Sequence, residues 1–126
     1  MWDFQGRSRN EILAWAQELS HRDRAALNQK LDFLEKLDFD QAVSLKLLAG
    51  PLHGSGHILK LRAAADSALR PLLCRGPQAP FREYTLLKGA VERDWKLHPP
   101  GALERAIENR KIVQEDGSRR TRHERP

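Results

Sequence analysis

The chain has 126 residues, of which 40% are hydrophobic and 31% charged, and its formal net charge is +5. This length predicts one domain with a single core, and the lone cysteine, Cys74, excludes an internal disulfide bond. No apolar run approaches the roughly 20 residues that a membrane span needs, and nothing at the start resembles a secretory signal, so we expect a cytoplasmic protein without a membrane partner. The positive charge favours a nucleic-acid partner or an acidic protein, and charge alone does not decide between them.

Two amphipathic helices are predicted after a short aromatic strand over residues 1–4. A capping-box pattern starts at Ser8 before the first helix, and Ser20 offers a cap for the second. Apolar residues then recur with the spacing of one helix face: Ile12, Trp15, Ala16 and Leu19, followed by Leu27, Leu31, Leu34 and Leu37. Almost no loop separates the two patterns, so they predict a helical hairpin that packs on a sheet.

Three strands are predicted in the middle of the chain, over residues 57–63, 68–74 and 81–88. In the first strand, alternation places Lys60 and Arg62 on one face and Leu59 and Leu61 on the other. Pro71 stands within the second strand, where it cannot donate a hydrogen bond, so this strand should be interrupted there. The sheet would bury its apolar face and present cations on the opposite face.

A basic loop over residues 90–98 and a C-terminal helix complete the predicted domain, which spans residues 1–113. Residues 114–126 contain several arginines without an apolar pattern and predict a disordered basic tail. The fold class is therefore α+β: an N-terminal helical hairpin packed on a small antiparallel sheet of three to four strands, with a C-terminal helix.

The cationic sheet face suggests chemistry on phosphate groups. The histidines are scattered without ligand spacing and no cysteine pair exists, so we expect neither a metal nor a cofactor. Fixed lysines and arginines can stabilise the charge that develops when a 2′-hydroxyl attacks the adjacent phosphate of RNA. The alternative is that these cations are solvated surface charges, some of them paired with Glu83, Glu92 or Asp94.

A series of short motifs runs in order through residues 11–113. They are Trp15-Ala-Gln-Glu-Leu19, Lys46-Leu-Leu-Ala-Gly50, Leu59-Lys-Leu-Arg62, Ala68-Leu-Arg70, Leu86-Leu-Lys-Gly-Ala-Val-Glu-Arg93, Pro99-Pro100 and Glu104-Arg-Ala106. Their order resembles that of the RelE/ParE superfamily of type II toxins, most closely the HigB-like branch with its phage-encoded members. The resemblance implies a RelE-like fold.

The resemblance also implies a function. The chain would be a cytoplasmic toxin that cleaves ribosome-bound mRNA without a metal and is held inactive by a cognate antitoxin, of the helix-turn-helix type. Arg62 and Arg70 would contact phosphate or support the active face, and Arg93 would keep a basic position after the last strand. Lys60 joins them because it shares a face with Arg62, and His98 is the candidate proton donor.

Several residues depart from the family pattern. Glu92-Arg93 stands where the family has paired lysines, and Ala90 stands where it has an aromatic residue. No acid or base matches a family position well. These departures favour a second hypothesis, a non-catalytic binder on the same fold, such as a ParE-like inhibitor of DNA gyrase or a phage protein that acts on a host target.

Overall fold

The computed structural model describes residues 1–79 and 83–126. Its helices are, in chain order, α1 (Glu11–Glu18), α2 (His21–Lys36), α3 (Phe39–Ser44) and α4 (Ala102–Glu115). Its strands are, in the same order, β1 (Trp2–Phe4), β2 (Leu48–Ala49), β3 (Leu59–Leu61), β4 (Ala63–Ala64), β5 (Ala68–Leu69), β6 (Leu72–Arg75), β7 (Tyr84–Lys88), β8 (Val91–Arg93), β9 (Lys96–His98) and β10 (Arg120–Arg122). The predicted α+β class is confirmed. None of the described helices is both long and apolar enough to cross a membrane.

The described strands form two sheets. The larger has six strands in the order β10-β1-β7-β6-β3-β2, in which β1 and β7 are parallel and the other described neighbours are antiparallel. The smaller has four antiparallel strands in the order β4-β5-β8-β9. The prediction of one antiparallel sheet of three to four strands was therefore too small. The third predicted strand corresponds to β7, and its residues 81 and 82 lie outside the described residues.

Two apolar cores lie on the two faces of the larger sheet. Leu59 and Leu73 belong to the core that includes the buried residues of α1 and α2. Ile58 and Leu72, one residue away along the chain, belong to the core that includes those of α4. Because neighbouring residues of a strand point to opposite faces, the helical hairpin and the C-terminal helix cover opposite sides of this sheet.

Side-chain caps fix the starts of the first two helices. Asn10 caps α1, since its Oδ1 accepts a hydrogen bond of 2.9 Å from the backbone N–H of Leu13. The capping box predicted from Ser8 is therefore wrong, because a better acceptor lies two residues further along. Ser20 caps α2 as predicted, with its Oγ accepting from the backbone N–H of Asp23 at 3.1 Å.

Three predicted segments divide or change type in the structure. The second predicted strand, 68–74, is interrupted at Pro71 as expected, with β5 before the break in the smaller sheet and β6 after it in the larger. The first predicted strand divides in the same way around Arg62, into β3 and β4. Residues 90–98, predicted as a loop, instead form the hairpin of β8 and β9. The chain therefore passes from one sheet to the other at Arg62 and again at Pro71.

The predicted disordered tail, 114–126, is ordered in the structure. Helix α4 ends at Glu115, and β10 pairs with β1 in antiparallel register. Arg120 Nη1 donates a hydrogen bond of 2.7 Å to Glu83 Oε1, and His123 Nδ1 lies 2.7 Å from Asp3 Oδ1. Strand pairing and polar contacts hold this segment without an apolar pattern, which is why its composition pointed to disorder.

The pair of Glu83 and Arg120 makes the stability of the fold depend on pH. Burial raises the pKa of Glu83, but hydrogen bonds from Arg120 and from the backbone of Ala79 outweigh burial and hold its pKa below its ordinary value of 4.5. A carboxylate whose pKa is lowered by folding stabilises the native state above its unfolded pKa. That contribution is lost as the pH falls below about 4.5 and through the folded pKa.

We therefore expect Glu83→Gln to lower the free energy of unfolding by about 1–2 kcal/mol at pH 7, because it replaces a charge-assisted hydrogen bond by a neutral one. Urea unfolding at pH 7 and at successively lower pH measures the difference from the parent chain. The two curves should converge as the solution becomes acidic. A difference that stays constant with pH would show that the charge of Glu83 does not stabilise the fold.

Candidate functional site

Two of the predicted cations converge on one carboxylate where the two sheets meet. Lys60 lies in β3 of the larger sheet, Arg70 lies at the break between β5 and β6, and Glu92 lies in β8 of the smaller sheet. Lys60 Nζ is 3.7 Å from Glu92 Oε1, and Arg70 Nη2 is 3.8 Å from Glu92 Oε2. Their side chains are 21%, 15% and 25% exposed respectively, so solvent reaches all three. We call these residues the Lys60–Arg70–Glu92 cluster.

Arg70 is held in place by backbone carbonyls. Its Nη1 donates hydrogen bonds to the carbonyl oxygens of Leu69, at 2.8 Å, and Ala63, at 3.3 Å. Its own backbone N–H donates to the carbonyl of Ala90 at 2.8 Å, which ties the strand break to the start of the β8–β9 hairpin. The guanidinium is therefore fixed before any ligand arrives, with Nη2 directed at Glu92.

Glu92 pairs with its two cations without a hydrogen bond. Both of its cationic partners lie beyond hydrogen-bond distance, and neither of its oxygens accepts a hydrogen bond from the described residues. Its lone pairs are therefore open to a proton donor from solution. A partly exposed carboxylate flanked by a lysine and an arginine can accept a proton and lies beside two positive charges.

The remaining predicted site residues lie outside this cluster. Arg62 is exposed just after β3, and its side chain makes no ion pair or hydrogen bond with the described residues. Arg93 is exposed in β8, and His98 is half-buried in β9. Because side chains alternate along a strand and cross-strand partners share a face, Arg93 and His98 lie on the opposite face of the hairpin from Glu92.

Sequence reasoning missed the central carboxylate. Glu92 stands where the family has a lysine, and we interpreted it as the loss of a positive charge. Glu92 was expected only as a possible partner of the strand cations, and the structure confirms that pairing for Lys60 and Arg70.

Other reactive groups are less suited to catalysis. Burial raises the pKa of the Cys74 thiol to about 11, so the predicted structural role of this buried residue fits its environment. Burial also raises the pKa of Tyr84, with a smaller opposing effect from Arg75. Among the described residues, no three histidine, cysteine or acidic side chains come together as potential metal ligands.

A cavity of about 620 Å³ lies elsewhere, between the α2–α3 junction and the ends of β6 and β7. Its charged lining includes Glu35, Asp38, Asp40 and Glu83, with Arg75 stacked over Phe39 at 4.2 Å. Arg125 pairs with Glu35 and Arg120 pairs with Glu83, while Asp38 and Asp40 add negative charge, so this lining does not attract an anionic ligand such as RNA. The Lys60–Arg70–Glu92 cluster is therefore the better candidate for phosphate chemistry.

Comparison with protein-family models, with curated proteins and with solved structures finds no match to this chain.

Proposed function

We propose that this protein is a toxin of the type II class that cleaves ribosome-bound mRNA through the Lys60–Arg70–Glu92 cluster. The observation that carries the proposal is the convergence of two cations on an accessible carboxylate that accepts no hydrogen bond from the described residues. The order of the helical hairpin, the neighbouring strands β3, β6 and β7 and the helix α4 supports it, since the family resemblance implies a helical hairpin, a sheet and a closing helix in that order.

The proposed reaction uses the 2′-hydroxyl of the substrate as the nucleophile. Glu92 accepts its proton, and the resulting oxygen attacks the adjacent phosphorus. Arg70 and Lys60 stabilise the negative charge of the pentacoordinate phosphorus. The bond to the 5′-oxygen then breaks, and that oxygen takes a proton from Lys60 Nζ. The products are a 2′,3′-cyclic phosphate and a 5′-hydroxyl end.

We assign the proton donor to Lys60 and not to His98, because His98 lies on the other face of the hairpin. The exposed cations Arg62 and Arg93 would contact the RNA backbone outside the reacting phosphate. The same exposed cations would attract an acidic segment of a cognate antitoxin, which would block the site by covering it.

The product ends test this proposal. The protein is added to a translating bacterial extract, and the cut sites are mapped by primer extension. We expect discrete cuts within the translated region, each with a 5′-hydroxyl end and a 2′,3′-cyclic phosphate. An mRNA with a single 2′-deoxynucleotide on the 5′ side of a mapped cut should resist cleavage there. Cleavage of that substrate would contradict attack by the 2′-hydroxyl, and uncut mRNA in growth-arrested cells would indicate a protein target such as DNA gyrase.

A further inference from the structure

The tip of the β8–β9 hairpin carries an exposed tryptophan in an unusual backbone conformation. Arg93 pairs with Lys96 across the hairpin, so Asp94 and Trp95 form a two-residue turn. Both turn residues have positive φ, 51° and 65°. The side chain of Trp95 is 95% exposed, more than any other large hydrophobic residue described.

The fold gains little from this arrangement, in which only Asp94 suits the turn. A two-residue turn with two positive φ values favours asparagine or aspartate followed by glycine, and a bulky residue in the left-handed region is strained. The indole ring of Trp95 lies in solvent and adds no apolar burial. Arg93 and Lys96 place two like charges opposite each other, which weakens a strand pair. A partner with negative charges and flat rings would make favourable contacts with both the opposed cations and the exposed indole ring.

We infer that Trp95 is a stacking site for a base of single-stranded RNA, with Arg93 and Lys96 contacting the phosphates on either side. This inference rests on the proposed function, since it adds a substrate-binding position to the same site. Aromatic side chains beside cations are the usual means of binding single strands, because every base offers a face for stacking. Glu92 lies three residues from Trp95, and because the chain turns between them they are separated by less than the roughly 10 Å of an extended strand. Arg93 and Lys96 lie on the opposite face of the hairpin from Glu92, so the stacked base would belong to a nucleotide that the RNA strand reaches by passing around the hairpin tip from the reacting phosphate.

The experiment measures RNA binding by a chain that carries Glu92→Gln, so that the probe is not cut. The probe is a short fluorescein-labelled single-stranded RNA, followed by fluorescence anisotropy. We expect Trp95→Ala to weaken binding by roughly 5- to 100-fold and Trp95→Phe, which keeps an aromatic ring, to retain most of the affinity. Leu45→Ala is the matched control, because Leu45 is another exposed apolar side chain, lies outside the hairpin and should leave binding unchanged.

A second probe with abasic sites in place of the bases isolates stacking. Without bases, the parent chain and Trp95→Ala should bind equally. If the parent chain and Trp95→Ala bind the normal RNA equally, or if Trp95→Ala loses the same affinity for both probes, the inference is wrong. A result in which Trp95→Ala loses binding only to anionic lipid vesicles would also overturn it. Far-ultraviolet circular dichroism verifies that the variant is folded, which the exposure of the ring leads us to expect.

The two proposals can fail separately. If the chain with Glu92 intact leaves mRNA uncut but RNA binding still depends on Trp95, the nuclease proposal is wrong and the stacking site stands. If the chain cuts mRNA and binding does not depend on Trp95, only the stacking site is wrong.

Discussion

Replacement of Glu92 by glutamine is expected to lower the rate of mRNA cleavage by roughly 10²- to 10⁴-fold, which is the usual contribution of a general base. Glutamine keeps the shape of the side chain but cannot take the proton of the 2′-hydroxyl. The ion pairs of Glu92 are long, 3.7 and 3.8 Å, so the fold should lose little stability. Single-turnover cleavage of a translated mRNA measures the rate, and anisotropy with the RNA probe should show binding that is unchanged or tighter.

The rival interpretation predicts a change in the cleavage rate of the opposite sign. If Glu92 only neutralises Lys60 and Arg70, its replacement would free both cations and increase cleavage. Glu92→Lys separates the two interpretations further: it abolishes cleavage if Glu92 is the base and raises cleavage if Glu92 is a counterion. Asp94→Asn is the matched control, since it removes the same charge from the same hairpin and asparagine suits its positive φ. We expect it to leave the single-turnover rate at saturating protein nearly unchanged, because Asp94 takes no part in the proton transfer.

The sequence predicted those elements whose signals are local. The apolar spacing from Leu27 to Leu34 and the cap at Ser20 define α2, and Pro71 marks a real strand break. The smaller sheet could not be predicted in the same way, because strands of two or three residues are too short to show alternation. The hairpin tip at Asp94 also lacks the usual asparagine–glycine or aspartate–glycine turn signal.

The candidate site likewise contains residues that a local pattern predicts and residues that it does not. Lys60 could be predicted as a partly exposed cation because it alternates with buried leucines along β3. Arg62 was expected beside it, but the chain passes from β3 in the larger sheet to β4 in the smaller one at Arg62, which interrupts the alternation. Glu92 meets Lys60 only through the pairing of distant strands, and no local pattern encodes such a contact. Long-range pairing therefore decides which of the predicted cations share a site.

Arg70 carries the second large expected effect, and it concerns stability. Arg70→Met should lower the free energy of unfolding by about 1–3 kcal/mol, because it removes the hydrogen bonds that the guanidinium donates to the carbonyls of Leu69 and Ala63, two buried residues. It also removes one of the two cations beside Glu92. Urea unfolding followed by circular dichroism measures the change. A loss of cleavage in this variant therefore reports on folding as well as on chemistry.

Arg62→Met is the matched control for this prediction, because it removes the same charge from a side chain that is exposed and makes no ion pair or hydrogen bond with the described residues. It should change the free energy of unfolding by less than about 0.5 kcal/mol. Equal unfolding midpoints for the two variants would show that the carbonyl contacts of Arg70 contribute nothing. A large difference would establish that the Arg70 side chain stabilises the β4–β5 pair, and would leave Lys60 and Glu92 as the positions at which chemistry can be tested without loss of the fold.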